Sequence, residues 1–318
     1  MMGALRLVLE VEVEAGNRHT SKHAAPGLWA LLGRLGRDNW PELVRGDADW
    51  GTEGNMGRAE EEGLAYLFKL RATPGVKRLI EKAMGEADWV DAGQGWWGKE
   101  AALRLQGWSR RRRVVILRRR IRRKLALAKR ANDGRQRLLG FAEVTAGHDV
   151  YETAVLATSL ADEVLSVAQL YRARAGGENA FDELKNHWGW GGFTTQDLKR
   201  CRLMARTVAL VYDWWSLFAR LAEPDRHAEA ITTRPLLLHA VAKQTRHAGR
   251  NTLTITSSHA RAAQVRQALA RLVAFFRDLT RTAEQLTNVE RWCLILSRAL
   301  VKYLKGRVLK PPGRLLPA

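Results

Sequence analysis

The chain has 318 residues, 46% of them apolar, and a formal net charge of +20. That is long enough for one large domain or two, with a real core. Two cysteines, Cys201 and Cys293, make neither a disulfide framework nor a metal-knuckle spacing, no apolar run reaches about 20 residues, and no signal segment follows Met1, so the sequence predicts neither a secreted scaffold nor a membrane span.

The charge is uneven. Residues 1–100 carry 13 Lys/Arg against 16 Asp/Glu, a net of −3, whereas residues 101–150 carry 15 against 3 and residues 151–318 carry 25 against 14. The first third reads as a mildly acidic folding unit and the remainder as a surface for a polyanion. Nucleic acid is favoured over a membrane surface, because no amphipathic anchor with a clean apolar face accompanies the charge.

In chain order, Ala4–Glu14 alternates, with Leu5, Leu7, Leu9, Val11 and Val13 on one side, and predicts a half-buried strand. Ser21–Gly36 predicts a helix. Leu43 and Val44 form a short strand; Gly46 permits a bend after it, and Asp47 and Asp49 follow at its carboxyl end, where chemistry gathers in open α/β sheets. A helix over Thr52–Gly63, a strand over Leu64–Arg71 and a Pro74-opened helix over Gly75–Gly85 complete an α/β pattern.

Residues 86–160 predict a mostly β insertion, with an apolar island at Val114–Leu117 and strands at Leu138–Val144 and Tyr151–Leu160. Arg110–Arg130 holds 12 cations in 21 residues. A charge run is commonly a solvated face. Here a strand would alternate its arginines to both sides, and no acidic partner is obvious nearby, which makes Arg111, Arg113, Arg118 and Arg120 candidate DNA contacts.

Leu165–Lys185 predicts one helix, weakened at Gly176 and Gly177. At about 100° per residue, Tyr171, Arg174, Glu178 and Lys185 fall within roughly 60° of each other on one face. An acid, two cations and a phenol suit a metal ion held beside a phosphate backbone. The bland alternative is a solvated face with a Glu–Arg pair four apart. Trp188–Phe193 is a glycine-broken aromatic knot, either stacking on unpaired bases or pinning a loop to the core. Helices are predicted over Thr195–Leu221, with Trp214 and Trp215 in the core, and over Arg234–His247, Ala260–Gln285 and Val289–Lys305. The C-terminal third therefore reads as all-α, before a loose tail at Pro311 and Pro312.

Tyr171-x2-Arg174-x3-Glu178-x6-Lys185 resembles the YREK signature of one branch of bacterial insertion-sequence transposases of the cut-and-paste DDE type. LVRGDADWG at 43–51, YLFKLRAT at 66–73, ENAFDELKNHWGWGGFTTQDL at 178–198 and RPLLLHAVA at 234–242 resemble the same family in the same order. The resemblance implies a ribonuclease-H-like α/β core with a β-rich insertion and an α-helical C-terminal region. The divisions expected are a partial core over 1–85, a basic insertion over 86–160, the third-acid helix and aromatic loop over 161–193, and a helical region over 194–318. It implies three carboxylates holding two divalent ions, Mg²⁺ or Mn²⁺, that activate water or a 3′-hydroxyl and stabilise the leaving oxygen. By position Asp47 resembles the second acid, with Asp49 the runner-up, and Glu178 the third. Arg174 and Lys185 would grip the backbone of duplex DNA at a transposon end, and Tyr171 would hydrogen-bond to it.

The family's first aspartate has no counterpart. Ala4–Glu14 offers Glu10, Glu12 and Glu14 but no Asp, and resembles a third strand rather than a first. The expectation is a transposase lacking its N-terminal part, with little strand transfer by this polypeptide alone, or else a non-catalytic DNA-binding remnant that occupies transposon ends or inhibits full-length subunits. The resemblance further implies a dimer holding two ends, in a bacterial cytoplasm and on the nucleoid when DNA-bound.

Overall fold

A computed structural model describes residues 1–3, 5–15, 21–121, 150–224, 228–238, 242–255, 260–282 and 284–311. It divides into two compact units, Glu14–Gly177 and a second made of Met1–Val13 with Glu178–Ala318.

The first unit is a mixed six-stranded sheet with helices on both faces. Its elements are α1 (Ser21–Leu35), β1 (Leu43–Gly46), α2 (Glu53–Glu61), β2 (Ala65–Lys69), α3 (Pro74–Met84), β3 (Val90–Gly93), β4 (Trp96–Leu103), β5 (Arg112–Ile121), β6 (Val150–Thr158) and α4 (Val164–Arg172). The strand order is β1-β2-β6-β5-β4-β3. Only β1 and β2 are parallel, as expected for strands joined by a crossover helix. The other neighbours run antiparallel, with Val114 opposite Ala157 and Ile116 opposite Val155. The strands predicted as an insertion thus extend the sheet that β1 and β2 begin. The strand expected at Leu138–Val144 lies outside the described residues.

The period of two sorts the core. Tyr66, Phe68, Val114, Ile116, Val155 and Ala157 face α1, α2 and α3, together with Leu32, Met56, Val76 and Ile80. Leu67, Val115, Leu117 and Leu156 face the other way, against Val167 and Ala168 of α4. The strands are apolar on both faces because both are covered. Thr52 and Thr73 cap α2 and α3, their hydroxyls accepting the backbone N–H of Asn55 and Val76, and Pro74 opens α3 as its position predicts.

The second unit contains α5 (Ala175–His187) from Glu178 onward, α6 (Leu198–Ala222), α7 (Ala230–Leu237), a hairpin of β7 (Ala242–His247) and β8 (Arg250–Ile255), then α8 (Ala262–Arg281), α9 (Asn288–Ala299) and the single turn α10 (Val301–Leu304). The C-terminal third is therefore not all-α. The helix predicted over Arg234–His247 stops at Leu237, and the polar alternation after it pairs as a hairpin around Ala248–Gly249. Trp215 is half-buried and donates its Nε1–H to Thr233 Oγ1 at 2.8 Å, but Trp214, expected in the core, is 53% exposed. The two indoles point about 100° apart on α6, so only one can face inward.

The described part of Ala4–Glu14 is not a strand. Its one β contact is an isolated bridge between Met2 and Leu7. The segment lies extended along α6, whose side chains take its backbone groups: Asp213 accepts the Val8 N–H at 2.9 Å, Arg202 donates to Val13 O at 2.9 Å and Arg220 donates to Leu5 O. Leu5, Leu7, Val11 and Val13 still pack inward, while Leu9 is 47% exposed. Alternation reports a half-buried extended chain. A helix supplied the cover and the hydrogen bonds that a neighbouring strand was expected to provide.

Candidate functional site

The helix predicted over Leu165–Lys185 is two helices. α4 ends at Arg172, Ala173 and Arg174 form a turn, and α5 starts at Ala175. The break precedes Gly176 and Gly177, where the kink was expected. It is stitched by Arg174 N–H to Tyr171 O at 3.1 Å and Gly177 N–H to Arg174 O at 2.8 Å. The four-residue stripe is therefore not one continuous helical face. Tyr171 and Arg174 sit together in the first unit, the guanidinium 5.7 Å from the ring centroid. Glu178 and Lys185 are both exposed on α5 in the second unit.

The first unit adds a residue that the sequence reading did not single out. Arg45, on β1, donates to Leu170 O at 2.6 Å. Burial lowers its pKa from the ordinary arginine value, and the neighbouring positive charge of Arg174 lowers it further. Arg45 is thus a half-buried cation that feels a second positive charge, two residues before Asp47. The only sequence trace of Arg45 is a cation interrupting a short apolar strand.

After β1 the chain turns through Asp47–Trp50, closed by Trp50 N–H to Asp47 O at 3.1 Å. Gly46 is needed here for space, not for an unusual backbone angle. A Cβ on it would lie 2.4 Å from Cβ and Cγ of Trp50, whose ring packs on Phe68. Gly46→Ala is expected to cost about 1–3 kcal/mol through overpacking, read as a shift in the urea midpoint with an unchanged slope. A loss under about 0.5 kcal/mol would show that the Asp47 turn can move aside.

The two aspartates have different surroundings. Asp47 Oδ1 accepts the Asp49 N–H at 3.0 Å, leaving its carboxylate at the surface of the turn. Asp49 receives Nε–H and Nη2–H of Arg71, at 3.1 and 2.5 Å. Beside Asp49 opens a hollow of 770 Å³, with Arg71, Arg78, Lys82 and Arg104 on its walls and Leu70, Leu103 and Trp108 among its apolar lining. One acid and four cations make it a place for an anion.

α5 carries a second glutamate of contrasting character. Glu183 is 3% exposed; its Oε1 accepts the Ala230 N–H at 2.7 Å at the start of α7, and burial pushes its pKa up. It is a tertiary cap for α7, whose own preceding residue, Glu229, supplies no side-chain bond. The aromatic knot packs on the same region. Trp188 meets Tyr212 edge-on at 6.2 Å with Arg234 stacked 3.7 Å from its centroid, and Trp190 stacks on Phe181 at 5.8 Å. Phe193 remains 38% exposed.

The arginine run is less bare than its sequence suggests. Arg111 and Arg120 are exposed. Arg113 pairs with Glu100 at 2.7 Å and donates to Leu160 O and Asp162 O. Arg118 stacks 3.9 Å over Trp89, and Arg119 stacks over Trp96 and pairs with Glu152. Arg112 is buried between Glu53 and Glu60. Acidic partners brought in from α2, β4 and β6 correct the expectation that none was near. Residues 122–130 of the run lie outside the described residues.

Among the described residues, no three His, Cys, Asp or Glu side chains come together as a group that could hold a metal ion. Asp49 is engaged by Arg71, and Glu12 pairs with Arg206, which also reaches Glu10 at 3.7 Å. No helix among the described residues is long and apolar enough to cross a membrane.

Comparison with known proteins supplies the family. No curated protein matches the chain. The family model described as "Transposase DDE domain group 1" matches residues 4–275, a span that takes in the sheet, the Asp47 turn, α5 and the hairpin. That family implies a ribonuclease-H-like fold, in keeping with the mixed sheet flanked by helices, and proteins of this kind act on DNA and generally use divalent metals. The chain belongs to the DDE-domain transposases.

Proposed function

We propose that this chain is a DNA-end-binding member of the YREK branch, with Tyr171, Arg174 and Lys185 holding the phosphate backbone of a transposon end. Asp47 and Glu178 stand as the second and third acids. The observation that carries this reading is the placing of Tyr171 and Arg174 together where α4 ends, the guanidinium 5.7 Å from the ring centroid. A guanidinium beside a phenol suits a phosphate, which can accept from both at once. The cation-walled hollow beside Asp49 adds a second place for an anion in the first unit.

Catalysis by the polypeptide on its own is a separate matter. Mg²⁺ or Mn²⁺ would need a third carboxylate. Glu10 and Glu12 reach Arg206, and Asp49 is paired with Arg71. Those pairings favour the second reading, a non-catalytic occupant of transposon ends that competes with catalytic transposase. Arg111, Arg113, Arg118 and Arg120 remain proposed as a flanking DNA surface, with Arg111 and Arg120 the more exposed. A dimer holding two ends belongs to the same proposal.

The purified 318-residue chain, given a duplex carrying the transposon end with Mg²⁺ or Mn²⁺, should retard the duplex in a gel and yield neither nicked nor joined product. Arg174→Ala with Lys185→Ala should weaken that retardation by about tenfold or more at low salt, as expected for two lost charge-assisted phosphate contacts. Robust strand transfer would remove the non-catalytic reading. Equal retardation by the double variant would remove the assigned grips.

A further inference from the structure

β7 and β8 form a sheet of two strands only. Their register runs from Ala242 opposite Ile255 to His247 opposite Arg250, around a two-residue turn in which Ala248 and Gly249 both have positive φ, 46° and 76°. Such a turn matches the twist of a hairpin. Residues 243–252 and Thr254 are exposed. The 14 residues hold Lys243, Arg246, His247 and Arg250, and no Asp or Glu. A lone two-stranded hairpin is marginal in water and gains its stability from whatever it packs on. An acid-free ribbon with this run of exposed polar and basic residues is better suited to a polyanion than to a protein core.

The register sorts its residues. Lys243, Thr245, His247, Arg250, Thr252 and Thr254 share one face; Gln244, Arg246 and Asn251 share the other with Ala242, Leu253 and Ile255, Arg246 directly opposite Asn251 near the turn. The second face carries the side chains that make bidentate contacts with base edges, Arg to guanine and Asn or Gln to adenine. The major groove of duplex DNA is wide enough for a two-stranded ribbon. Lys243 and Arg250, at the two ends of the ribbon, are long enough to reach the phosphates that wall the groove.

We propose that the β7–β8 hairpin enters the major groove of duplex DNA with Gln244, Arg246 and Asn251 against the base edges. The proposal rests on the DNA-binding reading and supplies that reading with a source of sequence preference. The test uses the full chain. A preferred duplex is first selected from a random pool, and affinities for it and for a scrambled duplex are compared across variants whose circular dichroism and melting match the parent. Arg246→Ala and Asn251→Ala should each lose roughly 5- to 150-fold on the preferred duplex and little on the scrambled one. Lys243→Ala with Arg250→Ala should weaken both duplexes alike and lower the salt slope by about 2. An unchanged specificity ratio in Arg246→Ala and Asn251→Ala, while Arg174→Ala weakens binding, overturns the hairpin and leaves the DNA-binding reading intact. Single-stranded DNA or anionic vesicles competing as well as the preferred duplex also overturn groove entry. A parent chain that binds no duplex at all overturns both readings.

Discussion

Arg112→Ala is expected to remove about 3–5 kcal/mol of stability, the largest single-residue effect among the first unit's polar groups. The Arg112 side chain is 2% exposed. It donates to Glu60 at 2.8 and 3.0 Å, to Glu53 from the same guanidinium, and stacks 5.4 Å from Trp108. Glu60 also accepts the Tyr66 hydroxyl at 2.8 Å, so one arginine ties β5 to α2 and, through Glu60, to β2. Its loss would leave Glu53 with the Ser109 hydroxyl and Glu60 with Arg110 and Tyr66, and a cavity where the guanidinium was. Urea unfolding of the parent and variant measures the loss. The comparison is Arg113→Ala, whose side chain is 20% exposed and faces a half-exposed Glu100, expected to cost about 1 kcal/mol or less. Equal effects at the two sites would contradict this account of Arg112.

The same cluster sets a pH dependence. The Arg112 hydrogen bond holds Glu53 down at about 2, and Glu60 also stands at about 2, where burial pushes it up but the bonds from Arg112, Arg110 and Tyr66 prevail. Both folded values lie below the ordinary glutamate value. Their stabilisation is therefore complete above about pH 4.5 and is lost as pH falls from there towards 2. In Arg112→Ala this acid limb of the stability curve should flatten.

Much of the first unit was legible because its signals are local. Thr52, Thr73 and Pro74 announce helix starts within one or two residues of where they occur, and Leu43–Val44 before the Asp47 turn marks a strand end. What escaped depends on partners distant in sequence. Arg112 looked like one member of a bare run, because Glu53 and Glu60 lie more than 50 residues away. The alternation of the first 14 residues was read correctly as half-buried and wrongly as a strand, since its cover is α6, about 200 residues on. The break at Ala173–Arg174 carries no glycine or proline of its own and falls two residues before the glycines that drew attention. At the candidate site, Asp47, Tyr171, Arg174, Glu178 and Lys185 were named from spacing and resemblance, but their division between two compact units was not foreseeable from a helical wheel.

The hairpin was missed for a related reason. Arg234–His247 contains enough good helix formers to suggest continuity, and the two-residue Ala-Gly turn between His247 and Arg250 lacks the usual Asn-Gly or Asp-Gly signal. Ala248 with φ of 46° carries a modest backbone cost that the flanking register must offset.

The central claim is that this transposase-family chain is built to hold duplex DNA through its phosphates. Arg174 and Lys185, the hollow lined by Arg78, Lys82 and Arg104, and the hairpin cations Lys243 and Arg250 offer seven positive groups. Neutralising about 6–10 phosphates releases as many counterions, with a slope near −0.9 per contact, so affinity should fall roughly 10³- to 10⁵-fold between 50 and 200 mM salt. The most direct measurement is a salt titration of duplex binding by the full chain. A straight log–log line with a slope of about −5 or steeper is the result expected, shallower in Arg174→Ala. A flat line, or affinity that does not change between 50 and 200 mM salt, would contradict it.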